Sequence, residues 1–162
     1  MNAEGGFTDN PADPGNWTGG EIGHGELRGT KFGISAAAYP MLEIANITSQ
    51  EAETIYLQNY WSPIKGDALP LPVALATFDA AVNSGVSRAI IWLQQAANVQ
   101  ADGDFGKITQ AAVMNGPPLR IAQETIVRRI KFLTNLPQWA NFGLGWSRRI
   151  VALAGEITEF SD

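Results

Sequence analysis

The chain has 162 residues, 45% apolar and 17% charged, a balance that supports one ordinary hydrophobic core and excludes a disordered tail or a coiled-coil rod. It has no cysteine and a single histidine, His24, which excludes disulfides, thiolate zinc sites, cysteine nucleophiles and multi-histidine metal centres, and leaves a Ser-His-Asp triad only if His24 is its base. The net charge of −5 argues against a nucleic-acid partner, although its distribution is uneven: ten acidic and three basic side chains fall in residues 1–86, six and eight in 87–162.

Residues 1–33 hold nine of the 17 glycines, together with Pro11 and Pro14, and show neither helical nor strand periodicity. They predict a long loop, ordered by the interleaved Phe7, Trp17, Ile22, Leu27 and Phe32. Thr48-Ser49-Gln50-Glu51 reads as a capping box that starts a helix. Its apolar stripe, Ala52, Ile55, Tyr56 and Tyr60, runs to Trp61 before Pro63 stops it. Residues 72–84 (PVALATFDAAVNS) are apolar on most of their circumference and predict a buried central helix, C-capped by Gly85.

Ser87 is expected to cap a following helix over 88–98, with Ala89, Leu93 and Ala96 inward and Ile90 and Ala97 beside them, in a hairpin with its predecessor. Residues 102–106 form a turn cluster, followed by a short helix to Asn115 and a Gly116-Pro117-Pro118 stop. A longer helix over 119–136 turns Ile121, Ile126, Ile130 and Leu133 inward, and a last one spans about 144–157. No segment alternates strictly enough to demand a strand, so the expected class is mainly α.

No run approaches the roughly 18–20 apolar residues of a membrane-spanning helix, so no membrane insertion is expected. The start, MNAEGGFTDNP, lacks the basic and apolar regions of a secretory signal. The expectation is synthesis in the cytoplasm as a monomer, with delivery by another route if the target lies outside.

Glu4-Gly5-Gly6-Phe7 places a carboxylate beside two small residues and an aromatic ring. Phe7 or Trp17 as an apolar wall would raise the acid's pKa, as proton donation near neutrality requires. By residue chemistry alone, a glutamate beside glycines is more often simply exposed. His24 reads as solvated, and Asp102 and Asp104 as turn formers rather than calcium ligands.

The whole string is more specific. Residues 4–15 (EGGFTDNPADPG), 29–35 (GTKFGIS), Ala38-Tyr39-Pro40 and Tyr60-Trp61 resemble, in this order, the glycoside hydrolase family 108 muramidases, which are phage endolysins and secretion-associated lysozymes. Residues 78–85 (FDAAVNSG), Leu93-Gln94, Asp102-Gly103 with Gly106 and Thr109, and Gly145-Trp146 with Arg149 resemble the helical, predicted peptidoglycan-binding domain that accompanies them.

The resemblance implies a mainly α, lysozyme-like fold with a long Gly-rich active-site loop at its N-terminus. It divides the chain into a catalytic lobe, 1–86, and a peptidoglycan-binding lobe, 87–162. It implies hydrolysis of the β-1,4 bond between N-acetylmuramic acid and N-acetylglucosamine, with Glu4 as general acid, no cofactor and no metal. A second polar group, Asp13, Glu21, Glu26 or Thr30, should activate water or stabilise the cation.

The expected site is therefore Glu4, Thr30 and Glu21 for catalysis, with Phe7, Asp13, Phe32, Tyr39, Tyr60, Trp61 and Asn83 for substrate. Tyr56 and Tyr60 read equally well as core. Arg128, Arg129, Arg148 and Arg149 read as a solvated face able to meet the anionic peptide stems of the wall. The partner implied is bacterial peptidoglycan, reached after holin-type or other release, for lysis or for local remodelling during secretion. Relatives carry a helix of several turns before the EGG motif, where only Met1, Asn2 and Ala3 stand here, so the expected lobe lacks that helix. A non-catalytic wall-binding protein is the alternative.

Overall fold

The Thr48 box forms in both directions. The Thr48 N–H donates to Glu51 Oε2 at 2.8 Å, and the Glu51 N–H donates to Thr48 Oγ1 at 3.2 Å. The Thr48 N–H, and next the Thr48 hydroxyl, which also donates to Glu51 Oε2 at 2.9 Å, hold the Glu51 carboxyl below its ordinary value, and the box starts helix α1, Ser49–Tyr56. The computed structural model describes residues 6–160, in two compact units that divide after Ile55.

In the first unit most of the backbone is satisfied without long elements. A 3-10 turn, Pro14–Asn16, follows the Asp13 cap. Isolated bridges join Thr8 to Thr30 and Trp17 to Leu27. The one sheet among the described residues is a hairpin of β1, Thr30–Lys31, and β2, Ile34–Ser35. It was not expected, because two-residue strands are too short to show an alternating pattern. Its loop, Phe32-Gly33, has φ of +52° and +77°, the signature of a type I′ turn. Ile34, Ala36, Ile44, Ile47 and Ala52 are buried in this unit.

Past Tyr56 the helix continues as a π-helical turn, Leu57–Trp61. The rings of Tyr56 and Tyr60 lie 5.9 Å apart on one side, as the stripe required. The second unit is built around α2, Leu71–Ser84, whose Val73, Ala74, Ala76, Phe78, Ala80 and Ala81 are all buried. Small residues on nearly every side let several helices approach it closely. It packs most extensively on α5, Pro118–Leu133, and α3, Val86–Ala96, and then on α6, Trp139–Glu159. A short α4, Lys107–Asn115, lies against α5.

Gly85 both ends α2 and begins α3, a single-residue link that its φ of +88° permits. Helix α3 therefore starts at Val86, and Ser87 lies inside its first turn instead of capping it. Pro118 stops nothing: it occupies the first position of α5, where its missing N–H costs no bond. That helix ends at Leu133, three residues short of expectation. Ile130 points outward at 37% exposure while Arg129, expected in solvent, is buried. Helix α6 begins at Trp139 rather than near Leu144. No helix among the described residues is long and apolar enough to cross a membrane.

Candidate active site

Thr30 is the first residue of β1 in the hairpin. Thr30 pairs through its backbone with Thr8, N–H to O both ways, at 2.8 and 2.9 Å. Its half-buried hydroxyl donates to Asn16 Oδ1 at 2.7 Å. Asn16 is fully buried, and its amide in turn donates to the Asn10 carbonyl at 3.0 Å. The Asn16 carbonyl accepts from the N–H groups of Arg28 and Gly29 at 2.9 and 3.0 Å. Asn16 thus holds Thr30 with its proton directed inward and its oxygen lone pairs open to another donor.

Sequence reasoning missed Asn16. An asparagine in PGNWTGG looks like one more turn former, and its partner lies fourteen residues away.

Phe7 is 44% exposed and lies over Gly29, where a Cβ would come within 2.6 Å of its ring. The Phe32 backbone is left-handed, a costly conformation for a bulky residue, and Lys31 Nζ stands 5.4 Å from the Phe32 ring centre. Tyr39 is half-buried and its N–H bonds the Ser35 carbonyl. Phe7, Thr30 and Phe32 therefore cluster along one short stretch of backbone.

The loop carboxylates differ in their engagements. Asp13 accepts from the Gly15 N–H at 2.8 Å, shaping its own turn. Glu21 is exposed, 3.8 Å from His24 Nδ1. Glu26 is held by Arg28 at 2.6 Å, and Glu43 joins the same guanidinium at 3.2 Å. The hydrogen bond to Glu26 raises the Arg28 pKa above its ordinary value. Glu26 is the least available of the three for chemistry. Glu4 lies outside the described residues.

Tyr60, Trp61 and Asn83 belong to the second unit. Tyr60 packs against the hydrophobic cluster beside Tyr56. The Trp61 indole donates to Asp67 Oδ1 at 2.9 Å and meets Phe78 edge-on at 5.5 Å. Asn83 is exposed and its amide donates to the Asp79 carbonyl at 3.0 Å. It lines an open cavity of about 480 Å³ with Arg88, Phe132, Phe142 and Trp146.

Asp102 accepts from Gln94 Nε2 at 2.7 Å and from the Asp104 N–H at 3.0 Å, and these bonds lower its pKa. It is a turn former, as expected. No group of three or more His, Asp or Glu side chains that could hold a metal occurs among the described residues.

The family model for glycosyl hydrolase 108 matches residues 1–85. The solved structure of Brucella abortus SagA is similar to this chain, with 35% identity, a TM-score of 0.82, and coverage of 98% of this chain and 88% of that one. No curated protein matches significantly.

Proposed function

Because the chain belongs to glycosyl hydrolase family 108, we propose that it is an N-acetylmuramidase, cleaving the β-1,4 bond between N-acetylmuramic acid and N-acetylglucosamine in peptidoglycan. The observation that carries this reading is the family match over 1–85, which includes every expected site residue. The mainly α, lysozyme-like architecture shared with the SagA structure supports it.

In this reading Glu4 is the general acid. A glycosidic oxygen leaves poorly, so it takes a proton from Glu4 as the C1–O bond breaks and C1 becomes oxocarbenium-like. Water then adds to C1 and gives up a proton to the second carboxylate. Thr30 suits the positioning of that water: its own proton is committed to Asn16, so its oxygen accepts a bond from the water and orients the water's lone pair. Asp13 and Glu21 are the candidates for the second carboxylate, with Glu26 disfavoured by its pairing with Arg28. Phe7, Phe32 and Tyr39 supply apolar faces for sugar rings.

We assign catalysis to residues 1–86 and wall attachment to 87–162. Because α2 packs with α3, α5 and α6, a binding test is better made on 56–162, which keeps that core whole. The chain acts as a monomer on the wall after holin-type or other release, in lysis or in local remodelling during secretion.

Mass spectrometry of purified peptidoglycan after incubation tests the activity. Fragments ending in reducing N-acetylmuramic acid are expected. Reducing N-acetylglucosamine ends would reassign the bond, and the absence of any product would leave a non-catalytic wall-binding protein.

A further inference from the structure

The C-terminal end of α3 and the second half of α5 enclose an open groove of about 840 Å³, well away from the residues assigned to bond cleavage in sequence. Its lining includes Gln95, Asn98, Asn135, Arg128 and Lys131, and contains no acidic residue. On a chain of net charge −5, this is a local reversal of sign.

Among the described residues, the side chains of Gln95, Asn98 and Lys131 make no hydrogen bond or ion pair with the rest of the protein. Arg128 is anchored, through Glu124 at 2.8 Å and the Gln95 carbonyl at 3.2 Å. Asn98 is set by the helix end itself. Its φ is +57°, its N–H bonds the Gln95 carbonyl at 3.3 Å, and the Val99 N–H bonds the Gln94 carbonyl at 3.0 Å. That is a Schellman cap with asparagine where glycine is usual, so the cap presents a carboxamide at the groove edge.

The groove suits a peptide better than a sugar. Sugar recognition relies on an open aromatic face, yet Trp92 is only 6% exposed, and the guanidinium of Arg88 stands 4.3 Å over the Phe132 ring. Unpaired carboxamides match peptide N–H and C=O groups, and an unpaired ammonium matches a carboxylate.

We propose that this groove binds the peptide stems of peptidoglycan, with Lys131 taking a stem carboxylate and Gln95 and Asn98 the stem amides. The proposal rests on peptidoglycan being the substrate, and it gives the second unit a recognition element for the non-sugar part of that polymer.

The test titrates the 15N-labelled full chain with a free stem pentapeptide containing γ-linked D-glutamate, and separately with peptide-free glycan strands. The peptide is expected to shift the side-chain amide signals of Gln95 and Asn98 and the Trp92 indole signal, and the strands are not. Lys131→Glu should weaken peptide binding about tenfold, by turning attraction into repulsion. Asn98→Gly should weaken it about threefold while keeping the cap, with no loss of melting temperature.

Saturating peptide without these shifts, or undiminished binding by Lys131→Glu, overturns the proposal. Cleavage of the peptide-free strands is followed in the same samples. Cut strands together with no groove shifts on adding the peptide would remove the groove and leave the hydrolase standing, whereas peptide-induced groove shifts with uncut strands would support the groove and count against the hydrolase.

Discussion

Asp79 on α2 accepts from the guanidinium of Arg129, fifty residues further along in α5, and Arg129 is 1% exposed. Arg149 on α6 joins the same carboxylate at 2.6–2.8 Å but is about half exposed. One carboxylate therefore ties three helices of the second unit together. Asp79→Ala would leave a buried charge unpaired, and a loss of about 3–5 kcal/mol is expected by chemical denaturation. Arg149→Ala should cost about 1 kcal/mol or less, because the Arg149 charge is half exposed and screened by solvent, and Asp79 keeps Arg129. The double variant Asp79→Leu with Arg129→Met should recover most of the loss, and equal losses in all three would refute this account.

Glu4→Gln keeps the side chain's shape but cannot donate a proton. Turnover on purified peptidoglycan is expected to fall about 10²–10⁴-fold with melting temperature and wall pull-down unchanged. Wild-type turnover by this variant would remove Glu4 from the role of acid.

The Asn16–Thr30 bond separates positioning from folding. Thr30→Val should lower kcat about tenfold or more with little change in KM, and Thr30→Ser should restore much of it. Asn16→Ala should lower kcat in the same way and also cost about 1–2 kcal/mol of stability, because the half-buried Thr30 hydroxyl loses its acceptor and the fully buried Asn16 side chain leaves a void. If Thr30→Ser were as slow as Thr30→Val, the hydroxyl would not be what matters.

Acid should destabilise the protein in a defined way. Bonds present only when folded lower the Glu51 and Asp102 pKa values, through the N–H groups of Thr48 and Asp104 first and side-chain donors next. The unfolded chain then binds more protons in the window between folded and unfolded values. The stability these groups add is full above the unfolded values, near pH 4–4.5, and is lost as pH falls through the lower folded ones. Melting temperature should drop across that range, and the drop should shrink in Glu51→Gln and Asp102→Asn. An unchanged slope in both variants would assign the acid sensitivity to other groups.

The left-handed Phe32 offers a trade between stability and binding. Phe32→Gly should relieve backbone strain of order 1 kcal/mol and raise the melting temperature. It should also raise KM for peptidoglycan if the ring meets sugar, and an unchanged KM would place the ring outside the binding surface.

What could be read in the sequence was local. The Thr48–Glu51 box and the small, apolar circumference of α2 encode their outcome within a few residues, and both formed where expected. Arg129 was misread because its partner is distant in sequence; nothing near Arg128-Arg129 reveals that the second of them turns inward and displaces Ile130. Helix α6 starts earlier than expected and takes in Gly143. That glycine is buried in the helix, where a Cβ would come within 2.8 Å of the Trp139 ring, so the small residue makes room for the indole. The hairpin escaped notice because its turn is Phe32-Gly33, lacking the Asn-Gly or Asp-Gly that marks most such turns. Of the site, residue types and order were legible, whereas the Asn16 anchor and the engagement of Glu26 required three dimensions.

The Gln94 carboxamide has a further consequence. It is 1% exposed, and its amide donates to Asp102 Oδ1, the Asp104 carbonyl and Thr109 Oγ1 at 2.7–3.1 Å, while its oxygen accepts the Gly103 N–H at 2.9 Å. Residues 101–106 therefore open only when a fully satisfied buried amide is stripped of its partners. The Gly103 amide should exchange with solvent deuterium as slowly as the interior of α3, although it sits in a turn. For the same reason this short connection should reject insertions that surface loops of equal length accept, which makes it a poor place to graft a tag or to cut the chain for circular permutation.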